Sequence, residues 1–190
     1  DAWYGLKLQL LVYLQAVLAA KRNDRRPVKP GGVFYFKIDD PIVNLENLTS
    51  SVEKALAREL RMRGLVLEDV SVARHMDHDI GTSDVIPVGL TKEGEFNRYS
   101  SVLDESDFMA LLQHAMSLVR TMGVEILKGR VAIEPVSRNG QHACTYCSYW
   151  SICHFDRLLQ DNNYRTIKSP GDDEIIARVR EEAKSHGGLD

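Results

Sequence analysis

The stretch CTYCSYWSIC, at residues 144–153, contains all three cysteines of this 190-residue chain. Its spacing is C-x2-C-x5-C, in which Cys144 and Cys147 reach one metal together and Cys153 folds back onto it. A tetrahedral zinc site or a four-cysteine iron–sulfur cluster requires four ligands. The stretch therefore predicts a metal site that lacks one cysteine, completed by another residue type or by further polypeptide.

Three interpretations of this cysteine run remain open. It binds zinc with His142 or His154 as the fourth ligand, it binds an iron–sulfur cluster with a distant fourth cysteine, or its thiols are unligated. Close packing of the cysteines favours the cluster. The aromatic residues between them would shield a cluster from water or stack on a nucleobase: Tyr146, Tyr149 and Trp150.

Composition is that of an ordinary globular protein, with 44% hydrophobic and 27% charged residues. The net charge of −3 neither indicates nor excludes a nucleic-acid partner, because a local basic patch is compatible with it. An odd number of clustered cysteines argues against a secreted disulfide scaffold. We therefore predict a cytoplasmic protein of one domain with appendages.

The apolar stretch from Leu6 to Ala20 is too short and too polar for a membrane span, and no basic segment precedes it as in a signal peptide. Leucines four residues apart predict a helix over residues 4–21. Because the chain starts at Asp1 and enters this helix at once, we expect further sequence upstream.

Gln9 and Tyr13, spaced i,i+4, lie on one face of that predicted helix. An amide and a phenol so placed would serve a phosphate or a catalytic carboxylate. The alternative is a glutamine at the solvent edge beside a tyrosine whose ring packs in the core.

Further elements follow from local signals. A strand is predicted over Val33–Ile38, a helix from the capping box Ser50–Glu53 to Gly64, and extended pieces at Val70–Ala73 and Val85–Val88. The polar run His75–Asp84 is predicted to be a mobile loop.

The second half reads more simply. A helix is predicted from Asp104 or Ser106 to Leu127, with Gly129 as its C′ residue. Ser137–Gln141 is predicted to turn, and a polar helix without a core is predicted over Asp172–Lys184.

Other reactive patterns are weaker. His75-Met-Asp77-His78-Asp79 is a metal-binding loop or, as we favour, a solvated one. The basic cluster between Lys21 and Lys29 contacts phosphate or solvates a loop. Glu182-Ala183-Lys184 has the E-x-K form of a metal-dependent nuclease, but we reject it because its helix is polar. No P-loop, G-x-S-x-G or H-E-x-x-H pattern is present.

Four segments in this order carry a resemblance to a known family: Tyr4–Leu14, Gly32–Phe36, Gly129–Pro135 and Ala143–Asp156. Over about residues 1–168 the chain resembles the C-terminal nuclease domains of AddAB-type helicase–nucleases, in their B subunits. These domains belong to the PD-(D/E)XK superfamily, in its RecB-like branch with an iron–sulfur staple.

The resemblance implies an α/β fold, a fragment of a restriction-endonuclease-like domain with helices around a small mixed sheet. Residues 1–135 would belong to the nuclease core, 136–168 to the cysteine staple and 169–190 to a polar helical tail. Gln9 would support the catalytic centre and Tyr13 would lie near the DNA strand. The cysteines would be three of four [4Fe–4S] ligands: Cys144, Cys147 and Cys153.

By the same resemblance, the parent protein and its A subunit would resect DNA double-strand breaks through Mg²⁺-dependent phosphodiester hydrolysis, without a membrane partner. The catalytic acids, the lysine and the fourth cysteine would lie upstream, so this chain alone would be inactive. The alternative is a non-catalytic zinc or iron–sulfur module that binds DNA or docks a partner. A compact CRISPR-adaptation exonuclease is disfavoured, because roughly 130 residues separate the two motifs.

Overall fold

The computed structural model describes residues 1–23, 28–38, 40–42, 51–159 and 162–186. Contacts divide the chain into two units, Lys7–Gln113 and Asp1–Leu6 with His114–Asp190. The predicted segments with boundaries at 135 and 168 follow motif order, whereas the contact boundary falls inside a long helix. None of the described helices combines the length and apolarity needed to cross a bilayer.

The unit Lys7–Gln113 contains a small mixed sheet, which confirms the predicted α/β class. Strand β2 is central, antiparallel to β1 and parallel to β3. Val66, Ala73, Ile80, Ile86 and Val88 form its buried core. The elements are α1 (Gln9–Lys21), β1 (Gly32–Tyr35), α2 (Val52–Leu60), β2 (Arg63–Leu67), α3 (Val70–Met76) and β3 (Val102–Leu103).

The prediction that Gly64 ends a helix is wrong. Helix α2 is capped by Ser51, whose Oγ accepts the Lys54 amide at 3.4 Å, and it ends at Leu60. The Ser50 half of the predicted capping box lies outside the described residues. Gly64 pairs with Phe34 in the sheet, and the two strands approach so closely there that only glycine fits.

The extended piece predicted at Val70–Ala73 is also wrong, because these residues begin α3. The Asp69 carboxylate accepts the backbone N–H groups of Ser71 at 2.8 Å and Val72 at 3.3 Å, which satisfies donors at the helix start. An aspartate N-cap was the local signal for this helix.

The polar run from His75 to Asp84 is an ordered turn rather than a bare loop. The Asp77 carboxylate accepts the Ser83 hydroxyl at 2.6 Å, and Ser83 Oγ accepts the Ile86 amide at 2.9 Å. Ile80, in the middle of the run, is only 2% exposed. Side-chain hydrogen bonds and one apolar anchor therefore hold this segment against the core.

A second sheet forms in the unit that includes His114–Asp190. Strand β4 is antiparallel to β5 and parallel to β6, and Phe155, Ile167 and Val179 are buried in this unit. Gly129, at φ 74°, follows the long helix, as predicted. The elements, starting with that helix, are α4 (Glu105–Leu127), β4 (Val136–Arg138), β5 (Gln141–His142), α5 (Trp150–Cys153), β6 (Arg165–Ile167) and α6 (Asp172–His186).

Asp104 caps α4, as predicted, and we expect Asp104→Ala to lower the free energy of unfolding by about 1 kcal/mol. Its Oδ1 accepts the Asp107 amide at 2.9 Å and the Ser106 hydroxyl at 2.7 Å. The hydrogen bond from the Asp107 amide, then that from Ser106, lowers the pKa of the Asp104 carboxyl. Urea unfolding at neutral pH measures the loss.

The sign of the pH effect follows from that lowered pKa. The cap's charge-dependent contribution is present above the unfolded-state pKa and disappears as pH falls through the folded-state pKa. Asp104→Asn keeps a capping oxygen but does not titrate. If Asp104→Asn loses as much stability on acidification as the wild type, this assignment is contradicted.

Candidate functional site

Helix α1 brings Gln9 and Tyr13 together. The Gln9 amide Nε2 donates to the Tyr13 hydroxyl at 2.9 Å, one helical turn away. Both residues are exposed, Tyr13 to 58%, so the tyrosine ring is not packed in the core. The structure thus confirms the shared face predicted from their spacing and leaves the pair accessible to a ligand.

The helix predicted over residues 4–21 starts later than expected. A short 3₁₀ turn at Ala2–Tyr4 comes first, and Gly5 and Lys7 then adopt left-handed backbone angles of φ 78° and 58°. A left-handed residue breaks the helical hydrogen-bond pattern. Gln9 is therefore the first residue of α1, which places its side chain at the helix end.

The cysteine segment starts from a tight hairpin. Strands β4 and β5 pair Arg138 with Gln141, and the intervening Asn139 and Gly140 have φ values of 50° and 78°. Two consecutive left-handed residues form a type I′ turn, which matches the twist of the strands, and Asn-Gly is its preferred sequence. The predicted turn at Ser137–Gln141 is confirmed, and it leads directly into the cysteines.

The cysteines occupy two consecutive short helical turns. Cys144 lies in a 3₁₀ turn at Ala143–Tyr146, Cys147 ends that turn, and Cys153 ends α5. The Cys147 sulfur accepts the Tyr149 amide at 3.4 Å. Cys147 is exposed and the other two are half-buried.

An aromatic layer lies beside Cys144. The rings of His142 and Tyr164 stack with centroids 4.5 Å apart, and the buried Phe155 ring lies 5.0 Å from that of Tyr164. Burial raises the pKa of the Tyr164 phenol, and the charge and hydrogen bonding of the neighbouring Cys144 thiol add to this effect, whereas Arg157 opposes it. Tyr164 therefore contacts the cysteine segment although it lies outside the cysteine run.

The donor chemistry of the three cysteines fits a thiolate-bound metal, and none of them forms a disulfide. Within the described residues, however, no three His, Cys, Asp or Glu side chains are placed so that they could hold one ion. His142, an alternative ligand, stacks on Tyr164, and His154 follows α5 with a left-handed φ of 48°. The metal-ligand roles stay a prediction.

The remaining predicted sites have local explanations. In the basic cluster, residues 24–27 lie outside the described part of the chain, and Lys29 forms an ion pair with Glu105 at 2.5 Å. This hydrogen bond and the charge of Glu105 raise the pKa of Lys29. The side chains of Asp77 and Ser83 build the turn after α3 instead of a metal site.

The E-x-K triplet lies in α6, and the prediction that this helix lacks a core is wrong. Val179 is 1% exposed, and the Glu182 carboxylate lies 2.7 Å from Nδ1 of the buried His114. The Nε2 atom of His114 lies 3.2 Å from the Trp3 carbonyl oxygen, and its ring stacks on that of Trp3. Glu182 thus serves a packing contact, which agrees with rejecting the triplet as catalytic.

Sequence reasoning missed two groups. Tyr164 reaches the cysteine segment only because β6 pairs with β4, and no local pattern signals that pairing. Arg74, His75 and His78 line one open cavity beside α3, which the incorrect strand prediction for that segment concealed.

Comparisons with known proteins agree with this arrangement. The chain is 48% identical over 185 residues to the B subunit of the ATP-dependent helicase/deoxyribonuclease from Alkaliphilus oremlandii, covering 96% of this chain and 16% of that protein. The proteins of the same name from Alkaliphilus metalliredigens and Acetivibrio thermocellus are 46% and 38% identical over 97% and 96% of this chain, again 16% of each protein.

The chain thus spans about one sixth of the length of these relatives, at 16%. Residues 1–154 match the PD-(D/E)XK nuclease superfamily, a region that includes the Gln9–Tyr13 pair and all three cysteines. The chain belongs to the PD-(D/E)XK nuclease superfamily.

Proposed function

We propose that this chain is part of a helicase–nuclease, within the B subunit, that resects DNA double-strand breaks for recombinational repair in the cytoplasm. The observation that carries the proposal is the exposed, hydrogen-bonded Gln9–Tyr13 pair within the region that matches the nuclease superfamily. Relatives named as ATP-dependent helicase/deoxyribonuclease subunits support the same function, with DNA as substrate and an A subunit as partner.

The two side chains would divide the work. The Gln9 amide donates to the Tyr13 hydroxyl oxygen, which leaves the phenol proton directed elsewhere. That proton would reach a phosphate oxygen of the DNA strand, while Gln9 fixes the direction of the phenol. Gln9 thus acts as a positioning residue and Tyr13 as a DNA contact.

Magnesium would be held by other parts of the parent protein. In the superfamily, carboxylates hold the ion that assists phosphodiester hydrolysis. The described part of this chain contains no convergent set of such ligands. We therefore derive no catalytic step through Mg²⁺ from these residues.

The cysteine segment would form the staple, with Cys144, Cys147 and Cys153 as three of four ligands of a [4Fe–4S] cluster. The Tyr149 amide that donates to the Cys147 sulfur supports this role, because such hydrogen bonds tune iron-bound thiolates. Bound there, the cluster would supply a covalent cross-link between the segment and the fourth cysteine.

We expect Gln9→Ala to lower Mg²⁺-dependent nuclease activity about tenfold, the value of one lost orienting hydrogen bond. The assay uses the complete parent protein with its helicase partner on linear duplex DNA, with unwinding measured in parallel. Gln141→Ala, which removes another exposed glutamine, is the matched control. Unwinding should be unchanged in both variants.

The opposite result would favour the non-catalytic module. In that case the complete protein would bind DNA without magnesium-dependent cleavage, and Gln9→Ala would have no effect. Tyr13→Phe separates the two roles, since it should weaken DNA binding while Gln9→Ala affects mainly the rate.

A further inference from the structure

An open cavity of about 430 Å³ lies beside α3, lined by Val70, Ser71, Arg74, His75 and His78. Arg74 carries a permanent positive charge, and the two histidines are N–H donors that take up a proton near neutral pH. Among the described residues, no carboxylate lines the cavity. Its charge and donors therefore suit an anion.

The nearest acidic side chains are committed to other partners. The Asp69 carboxylate accepts two backbone N–H groups at the start of α3. The Asp77 carboxylate accepts the Ser83 hydroxyl at 2.6 Å and the Asp79 amide at 3.1 Å. Asp79 itself is exposed but does not line the cavity. The lining thus keeps its positive character despite the aspartates in this stretch.

The helix also sets the orientation of His75. Its Nδ1 lies 2.7 Å from the Ser71 carbonyl oxygen, which only accepts hydrogen bonds, so Nδ1 carries the proton. The second ring nitrogen, Nε2, is then available to a ligand. A phosphate oxygen there would favour a proton on Nε2, next to the guanidinium of Arg74.

A cation is the poorer occupant. Two histidines do not complete a metal site, the described residues offer no third ligand, and Arg74 would repel the ion. A phosphodiester, in contrast, matches the planar donor set of arginine.

We propose that Arg74, His75 and His78 bind a backbone phosphate of a DNA strand. The choice of DNA as the polyanion rests on the proposed function above. A contact of this kind positions the strand without reading its sequence.

The test measures binding of the complete parent protein to a fluorescently labelled oligothymidylate over a range of salt concentrations. Arg74→Gln should weaken binding severalfold at low salt and reduce the slope of log affinity against log salt by about 0.7, the value for one single-strand phosphate contact. His75→Asn and His78→Asn should weaken binding in the same direction. Arg74→Lys should restore part of the affinity, since it restores the charge.

Arg58→Gln is the matched control, because it removes an exposed arginine from α2. If both arginine variants shift binding equally, the effect is one of overall charge and the cavity proposal is overturned. A wild-type protein that cleaves DNA while Arg74→Gln binds it normally overturns the cavity alone. A wild-type protein that neither binds nor cleaves DNA overturns the proposed function, and with it the choice of ligand.

Discussion

Gly64→Ala is expected to lower the free energy of unfolding by about 3 kcal/mol. A Cβ atom at this position would lie 1.9 Å from the Val33 carbonyl oxygen and 2.9 Å from its carbonyl carbon. These are backbone atoms of the paired strand, so no side-chain rotation relieves the overlap. The strands would have to separate where β1 pairs with β2, next to the buried Val66.

Urea unfolding followed by circular dichroism measures this loss, with Gly123→Ala as the matched control. Gly123 lies within α4, and an added Cβ would meet nothing within 4 Å. Alanine there should stabilise the protein by roughly 0.5–1 kcal/mol, because glycine is a poor helix former. A Gly64→Ala protein as stable as the wild type would show that β1 and β2 do not pair in this register.

Cys147→Ser is expected to remove nearly all iron from the complete parent protein purified without oxygen. Serine oxygen is a poor substitute for a thiolate in a cluster held by cysteines. Metal analysis and visible absorbance report the loss independently of nuclease activity. Ser151→Ala, in the adjacent helix α5, is the control and should retain iron.

Each metal outcome of this experiment has a distinct meaning. Stoichiometric zinc in the wild type, lost in Cys147→Ser, would replace the cluster by a zinc site with His142 or His154 as a ligand. Iron content unaffected by Cys147→Ser would show that this cysteine is not a ligand.

Elements with local signals were predictable from sequence. The start of α4 follows from Asp104, which caps the helix, and the hairpin before the cysteines follows from Asn139-Gly140. The Gln9–Tyr13 contact was equally predictable, because an i,i+4 spacing is local. In each case a few adjacent residues contain the necessary information.

Features that depend on distant partners were not predictable. Gly64 resembles a helix terminator until Val33 is placed against it. Tyr164 joins His142 only through pairing between β4 and β6. Val70–Ala73 is different, since β-branched residues favoured a strand while the Asp69 cap determined a helix.

The parallel pairing of β4 with β6 has a consequence for loop-closure entropy. Val136 pairs with Arg165, and the Arg165 amide donates to the Pro135 carbonyl at 3.0 Å, so the sheet fixes both ends of the segment that contains the cysteines. The entropic cost of bringing two points of a chain together grows with the length of free chain between them. Because the sheet already closes the long loop, gathering the three thiols requires only short internal closures.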